Sequence, residues 1–273
     1  MQSFYLNNIE FITQHAVSAD KRRYVDSSEA PKHFLNADHY GKHPFKVIPL
    51  NWYDAALKYS ADTLNKYGTL PWTIEFNYFE LVRAFKARDT IRILTISANL
   101  GHYIADAYVP LHLTLNYNGQ LSNQTGIHAL WESRLPELFS TSYKLYLGKA
   151  RYIESPIKEA FIICRSSYTS VDSVLRFEQE LNSHYPANKK YISTLRGNRH
   201  IQEYSTEYAN AYNKKLKGMV ERKMRSAILT IGSFWFSAWV DAGQPDLYKL
   251  VKHPLNQETR KQINNEEHKF KGK

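Results

Sequence analysis

The stretch His102-Tyr-Ile-Ala-Asp106-Ala-Tyr-Val-Pro110-Leu-His112 holds three potential metal ligands within eleven residues. His102 and Asp106 are four residues apart, a spacing that on a helix stacks two side chains on one face about 5–6 Å apart. Pro110 cannot continue the helix, because proline lacks the amide hydrogen and clashes with the preceding turn. His112 is therefore expected just beyond the helix end, close to the first two ligands.

A second run, Gly126-Ile-His128-Ala-Leu-Trp-Glu132, repeats the same spacing. His128 and Glu132 would also share one face of a helix and reach a single cation. A lone pair of this kind is often an ordinary polar face with a scattered histidine. Two such pairs, with a proline–leucine–histidine sequence between them, favour a metal site.

Apolar residues at helical spacing fill most of the remaining chain, which predicts an all-α protein. Helices are expected over residues 4–17, 51–67, 155–183 and 200–242, and one begins near Pro71. Gly218 and Gly232 are candidate breaks or kinks in the last of these. Asp89 is expected to cap the helix that carries His102. The segment 113–125 is rich in Asn, Gly, Ser and Thr and predicts a loop. No strand pattern and no linker is evident, so we expect one multi-helix domain over residues 1–248 and a basic, flexible tail over 249–273.

Composition limits the kind of site and partner. The single cysteine, Cys164, excludes an internal disulfide and a cysteine-rich zinc site, so a metal must be bound by histidine and carboxylate. The net charge of +10 favours anionic partners such as phosphate esters, nucleic acids or acidic membrane surfaces. The basic run Lys21-Arg22-Arg23 is either a solvated surface or an electropositive rim for a phosphate. The first residues do not resemble a signal peptide.

The two runs resemble the zinc-dependent phospholipase C family, whose wider superfamily includes the fungal single-strand-specific zinc nucleases. The shared features are HxxxDxxxPLH at 102–112, HxxxE at 128–132, and an upstream Asp20 and His33 in the same order. Glu132 is similar to the phospholipase branch, because the nucleases usually carry Asp there. The resemblance covers residues 4–140 or so, and it implies a multi-helix bundle with a polynuclear zinc cleft.

Carried over by position, the resemblance implies a set of metal ligands. One zinc would be held by His112, His128 and Glu132, and a second by Asp20, His33, His102 and Asp106. In the family a third ion is held by an N-terminal Trp, a nearby His and the aspartate that corresponds to Asp106. This chain starts with Met1-Gln-Ser and has no Trp before Trp52, so the third site lacks its main ligands.

The resemblance also implies a reaction and a substrate class. A metal-activated water, assisted by Asp20, would attack the phosphorus of a phosphodiester, most simply a phospholipid headgroup. Family members that cleave choline lipids place aromatic residues where this chain has Lys21 and Ala30, and a quaternary ammonium prefers aromatic faces, so an anionic substrate is favoured. The family further implies a secreted or periplasmic protein, with peripheral membrane contact open and no obligate protein partner. A nuclease or nucleotidase, and a metal-binding protein without turnover, remain the alternatives.

Overall fold

Helices form most of the secondary structure in the computed structural model, which describes residues 1–197 and 199–251. The α-helices are α1 Gln2–Asn7, α2 Ile9–His15, α3 Ser18–Arg22, α4 Pro44–Val47, α5 Trp52–Tyr59, α6 Ala61–Tyr67, α7 Leu70–Ala87, α8 Thr90–Tyr108, α9 Ile127–Ala129, α10 Leu135–Phe139, α11 Pro156–Tyr168, α12 Val171–Asn182, α13 Thr206–Leu216, α14 Met219–Asp241 and α15 Tyr248–Val251. Short 3-10 turns span Ala30–His33, Ala37–Tyr40, Pro110–Leu113, Ser140–Ser142 and Ala187–Lys189, and a π-helical turn spans Leu130–Arg134. The all-α prediction is confirmed as a multi-helix body.

Helices α7 and α8 form the centre of this body, and α11 and α14 pack against both of them. The side chain of Asp89 caps α8 by accepting a hydrogen bond from the Arg92 amide at 3.0 Å, as predicted. The core between these helices consists of fully buried apolar side chains, among them Ile74, Leu94 and Phe234. Because α8 is held on several sides, the ligand-bearing face at its C-terminal end has little freedom to move.

The prediction that the chain has no strand is wrong. Strands β1 (Tyr191–Arg196) and β2 (Arg199–Tyr204) form an antiparallel hairpin in which Arg196 pairs with Arg199 across a two-residue connection. The connection is Gly-Asn in sequence, which is a recognised hairpin signal. The apolar residues of β1 do not alternate with polar ones, so the sequence shows no strand pattern. In the structure Ile192 and Leu195 are both exposed.

Four predicted helices are interrupted. The segment 4–17 breaks at Asn8, and 51–67 breaks at Ser60, whose φ of 68° ends one helix while its hydroxyl caps the next. Residues 155–183 divide into α11 and α12. The long helix expected over 200–242 is wrong at its start, which is β2, and breaks again at Gly218, whose φ is 75°. The break at Gly218 is confirmed, because a residue without a Cβ holds a positive φ at little cost, whereas α14 continues through Gly232. Helical periodicity does not reveal the break at Ser60.

A second apolar cluster packs under the segment that carries His128. It brings together α9, the π-helical turn, α12, α13 and the hairpin, with Leu111, Leu130 and Tyr208 fully buried within it. The tail expected from residue 249 begins inside α15, which packs against α1, and the rest of it lies outside the described residues. No helix in the described part of the chain is long and apolar enough to cross a membrane.

Candidate metal centre

The first group of potential ligands comes from three different elements. Asp20 lies in α3, His33 ends the 3-10 turn Ala30–His33, and His102 lies in the last two turns of α8. Nδ1 of His33 is 3.1 Å from Nε2 of His102, and Oδ1 of Asp20 is 3.7 Å from each of these nitrogens. Residues that are far apart in sequence thus converge on one point.

The second group is more local. His112 lies in the 3-10 turn Pro110–Leu113 that follows α8, as the position of Pro110 predicts. Nε2 of His112 is 3.4 Å from Oε2 of Glu132, and Nε2 of His128 is 2.6 Å from the same oxygen. The π-helical turn carries Glu132, so the pair is presented by a widened helix rather than by the regular helix that its spacing predicts.

Asp106 lies between the two groups and has one oxygen toward each. Its Oδ2 is 2.9 Å from Nδ1 of His33 and 3.4 Å from Nε2 of His102, while its Oδ1 is 4.0 Å from Nε2 of His112. The side chain is almost fully buried. A carboxylate in this position can contribute a ligand to each of two cations.

The distances within the groups suit a metal ion. Four ligands placed tetrahedrally at bond lengths of about 2.0–2.1 Å lie roughly 3.3 Å from one another. The spacings around His33 and His102 run from 2.9 to 3.7 Å, on both sides of that value. Each group can bring one ligand atom per residue to within 4.8 Å of the others. Both groups could therefore hold a cation without rearrangement of the backbone.

Three of the histidines are oriented by backbone carbonyls. Nδ1 of His102 donates to Ala16 O at 2.9 Å, Nδ1 of His112 donates to His33 O at 2.6 Å, and Nδ1 of His128 donates to Tyr117 O at 3.0 Å. A proton on Nδ1 leaves Nε2 as a lone-pair donor, and in each case Nε2 is the atom that points into the group. Such outer hydrogen bonds fix the tautomer and ring orientation of histidines that bind metals.

The ring of His33 has the opposite orientation, and the carboxylate of Glu29 lies behind it. Its Nδ1 points into the first group, and its buried Nε2 faces Oε1 of Glu29 at 3.6 Å. Glu29 is itself buried and also accepts from Arg22 at 3.1 Å, from Lys32 at 2.9 Å and from the hydroxyl of Tyr103. These partners hold the pKa of Glu29 well below its usual range despite burial. Glu29 is thus a permanent anion behind His33.

Both groups open into one cleft of about 830 Å³. Besides six of the seven ligands, all except His102, its wall is formed by Arg23, Phe34, Asn36, Leu111, Tyr117, Asn118, Ala129 and Ser133. A larger cavity of about 1150 Å³ is lined by Glu29 and contains none of the seven proposed ligands, so size alone does not identify the site.

The electrostatics of the cleft couple the histidines to the carboxylates. Burial would lower the pKa of His112, but the charges of Asp106 and Glu132 outweigh it and raise the pKa to about 9. Burial likewise would raise the pKa of Glu132, but His112 and His128 hold it well below the usual range. Interaction with His102 lowers the pKa of Asp20. Without a metal, His112 therefore carries a proton at neutral pH that offsets part of the carboxylate charge.

The basic run after Asp20 divides among three environments. Lys21 is exposed and is not part of the cleft wall. Arg22 turns inward and binds Glu29 and Asn99. Arg23 lies in the cleft wall, with Nη1 3.5 Å from Oδ1 of Asp20. One of the three cations therefore overlooks the proposed metal positions.

Six of the seven residues proposed from the sequence line the cleft, and the seventh, His102, lies beside them with its Nε2 3.1 Å from Nδ1 of His33. Other titratable residues near His33 do not line it. Asp38 accepts hydrogen bonds from Thr114 at 2.7 Å and from the Leu115 amide at 3.0 Å, and His39 stacks on Tyr67. Sequence reasoning missed Glu29, although it precedes His33 by four residues and that spacing was a usable signal. Cys164 is buried in the core, as expected.

Comparison with known proteins gave no match, either to a family model or to a curated protein. The assignment of a function therefore depends on the residues and geometry of the cleft.

Proposed function

We propose that this chain is a zinc-dependent phosphodiester hydrolase of the phospholipase C type. The observation that carries the proposal is Asp106, whose two oxygens face different ligand groups inside one cleft. Two metal ions held close together are a recurrent arrangement for phosphoryl transfer, because they stabilise both the attacking and the leaving oxygen. The resemblance of the HxxxDxxxPLH and HxxxE motifs supports the same function.

Zinc is the metal we assign, since imidazole nitrogen and carboxylate oxygen are the ligands of catalytic zinc. One position would be held by Asp20, His33, His102 and Asp106, and the other by His112, His128 and Glu132. Bound zinc would lower the pKa of a water molecule to about 7 and polarise the phosphoryl group. The second set has three side chains of its own, the number typical of a catalytic zinc site, and Asp106 could reach this position as a bridging fourth ligand.

Asp20, besides its place among the ligands, and Arg23 have roles in the proposed reaction. Asp20 is about half exposed (48%) at the cleft, and its lowered pKa keeps it ionised at neutral pH, so it can accept a proton from the attacking water. Arg23 offers a guanidinium beside it, which can pair with a phosphate oxygen or an anionic headgroup. Both lie in the wall of the cleft that holds the ligands.

A nuclease or nucleotidase is the second candidate, and one observation favours it. Tyr117 lines the cleft with 54% of its surface exposed, so its ring is available to a ligand. Aromatic rings beside a cationic residue are the usual platform for bases of single-stranded nucleic acids. The amide side chains of Asn36 and Asn118 also line the cleft and could bind polar headgroup or base atoms.

The test is a substrate panel on the zinc-loaded protein. Phosphatidylglycerol, phosphatidylcholine and a single-stranded oligonucleotide would be compared at equal phosphate concentration. We expect hydrolysis of the anionic lipid to exceed that of the choline lipid. His128→Gln should abolish the activity, whereas the matched control His184→Gln, at an exposed histidine outside the cleft, should leave it unchanged.

The outcomes separate the candidates. Faster cleavage of the oligonucleotide than of either lipid would favour the nuclease. Two bound zinc ions with no hydrolysis of any substrate would instead favour a metal-binding protein without turnover. Arg23→Ala should reduce the preference for the anionic lipid, while the neighbouring Lys21→Ala should not. An equal effect of both variants would contradict the role given to Arg23.

A further inference from the structure

The loop formed by residues 114–126 connects the two halves of the second ligand group. It begins two residues after His112 and ends two residues before His128. Its Tyr117 carbonyl accepts the Nδ1 hydrogen of His128 at 3.0 Å, and its Tyr117 and Asn118 side chains line the cleft. The position of the loop therefore decides where the ring of His128 points.

Hydrogen bonds between residues of the loop hold it together as one rigid unit. The backbone N–H of Gln124 donates to Gly119 O at 2.8 Å. The backbone N–H of Gly126 donates to the carbonyl oxygen of Asn118 at 3.2 Å and to the side-chain oxygen of Asn118 at 3.1 Å. At Gly126 the φ of 99° is one that side chains rarely adopt, and the Tyr204 ring lies against the position of its missing Cβ. A displacement at one end of the loop would thus be transmitted to the Tyr117 carbonyl.

The loop is anchored to the rest of the protein at each end. At its start, Asp38 binds Thr114 and the Leu115 amide. At its end, Gln124 donates through Nε2 to Oε2 of Glu178 at 2.6 Å and to Leu175 O at 2.8 Å. Gln124 is almost fully buried, with 4% of its surface exposed, so this amide has no access to water as a substitute partner.

Glu178 is a fixed point for that second anchor. It lies in α12, is fully buried, and also accepts from Lys190 at 3.0 Å and from the Tyr208 hydroxyl at 2.6 Å. A buried carboxylate is costly to desolvate and is held in place by its partners. Lys190 and Tyr208 belong to the C-terminal part of the chain, outside the elements that carry the metal ligands.

We propose that Gln124 and Glu178 are positioning residues for the metal position formed by His112, His128 and Glu132. Through them the C-terminal part of the chain controls occupancy of that position without contributing a ligand. The inference rests on the proposed metal function of the cleft but not on which phosphodiester is cleaved. It applies to one metal position only, because in the part of the chain that the structure describes no hydrogen bond joins the loop to His33 or His102, whereas one joins it to His128.

The experiment compares zinc titrations of two variants against a competing chelator. Gln124→Met keeps the side-chain volume but removes the donor to Glu178, and it leaves Glu178 with Lys190 and Tyr208. We expect it to raise one of the two zinc dissociation constants by about tenfold and to leave the other unchanged. Tenfold is the lower end of the effect of losing an outer hydrogen bond. The matched control is Gln179→Met, because Gln179 is exposed on the same helix as Glu178.

Two further measurements distinguish positioning from a general loss of structure. In a Glu132→Gln background, where that metal position is already disabled, Gln124→Met should have no further effect on zinc binding. Glu178→Gln retains an oxygen for Gln124 but removes the charge opposite Lys190. We therefore expect it to lower the urea midpoint more than Gln124→Met does and zinc affinity less.

A parallel loss of zinc affinity at both positions together with a lower urea midpoint, or unchanged zinc affinity in Gln124→Met, would overturn the inference. If the wild-type protein hydrolyses no substrate but Gln124→Met still weakens zinc binding at one position, the proposed activity is contradicted and the positioning role is not.

Discussion

Replacement of Asp106 by asparagine is the most informative perturbation of this centre. The substitution keeps the shape of the side chain and removes the charge shared by the two ligand groups. Oδ2 lies 2.9 Å from His33, and Oδ1 lies 4.0 Å from His112. If Asp106 bridges two zinc ions, one substitution should weaken both positions. The loss should exceed the roughly 10–100-fold that follows from removing an outer hydrogen bond, because an anionic ligand itself is lost.

A second, independent prediction concerns the free energy of unfolding of the metal-free protein. The pKa of His112 is about 9 against an ordinary value of 6.5, a difference that corresponds to about 3 kcal/mol. Burial opposes this rise, and Asp106 and then Glu132 cause it. A raised histidine pKa stabilises the folded state fully below pH 6.5, and the contribution disappears as the pH rises through 9. We therefore expect Asp106→Asn to lower the stability of the metal-free protein by about 2 kcal/mol at pH 6 and by much less above pH 9.

The assay combines zinc titration with urea unfolding in the presence of a chelator at pH 6 and pH 9.5. Asp172→Asn, at a carboxylate whose side chain is 84% exposed, is the matched control. His102→Gln and His112→Gln should each weaken mainly one position, with a larger loss of hydrolysis than of stability. Retention of one zinc ion at wild-type affinity in Asp106→Asn would refute the bridge. A stability loss of equal size at both pH values would refute the linkage to His112.

Two other predictions follow from the surroundings of the ligands. Glu29→Gln should destabilise the metal-free protein by about 2 kcal/mol in urea unfolding, because it leaves Arg22 and Lys32 without their shared anion. In a zinc titration it should also weaken binding at the His33 position about tenfold. The control for both measurements is Glu207→Gln, at an exposed carboxylate. Since zinc displaces a proton from His112, its apparent affinity at that position should rise between pH 7 and 9 by up to about tenfold per pH unit and then level off. Calorimetry in two buffers of different ionisation enthalpy would show the released proton, and a pH-independent affinity would contradict the prediction.

The sequence was informative where the relevant interactions are local. His102 and Asp106 share one helix face, and Pro110 ends that helix, so their placing followed from spacing and proline chemistry. Asp20 and His33 could not be placed in this way, because they meet α8 across loops. The need of His102 and Asp106 for further ligands and the family resemblance indicated them. Arg22 and Arg23 are adjacent in sequence but lie in different environments, a distinction that depends on tertiary packing.

Local breaks were the main failure at the level of the fold. Ser60 interrupts an apolar pattern that continues on both sides, because a single residue with positive φ redirects the chain without changing hydrophobic periodicity. The break at Gly218 was predictable from the glycine itself. The hairpin was missed for a related reason: its apolar residues do not alternate, so only the Gly-Asn connection carried the signal. Neither failure affected the ligand set, because α8 and the turn after it are uninterrupted.

The net charge of +10 suggests at first that the protein attracts phosphate by its overall field, but the cleft itself does not have that character. Its described wall holds three carboxylates, Asp20, Asp106 and Glu132, and one guanidinium, Arg23. In the metal-free cleft the proton on His112 offsets part of this negative charge, and zinc binding displaces that proton. The side chains that surround the bound metal are then net negative and would by themselves repel a phosphodiester. Two divalent cations reverse the sign at the point where the phosphorus must lie, since bound ions are often the largest local charges in a site. In the proposed enzyme, the metal would therefore be needed to bind the substrate as well as to activate water, and the surface lysines and arginines could contribute only to its approach.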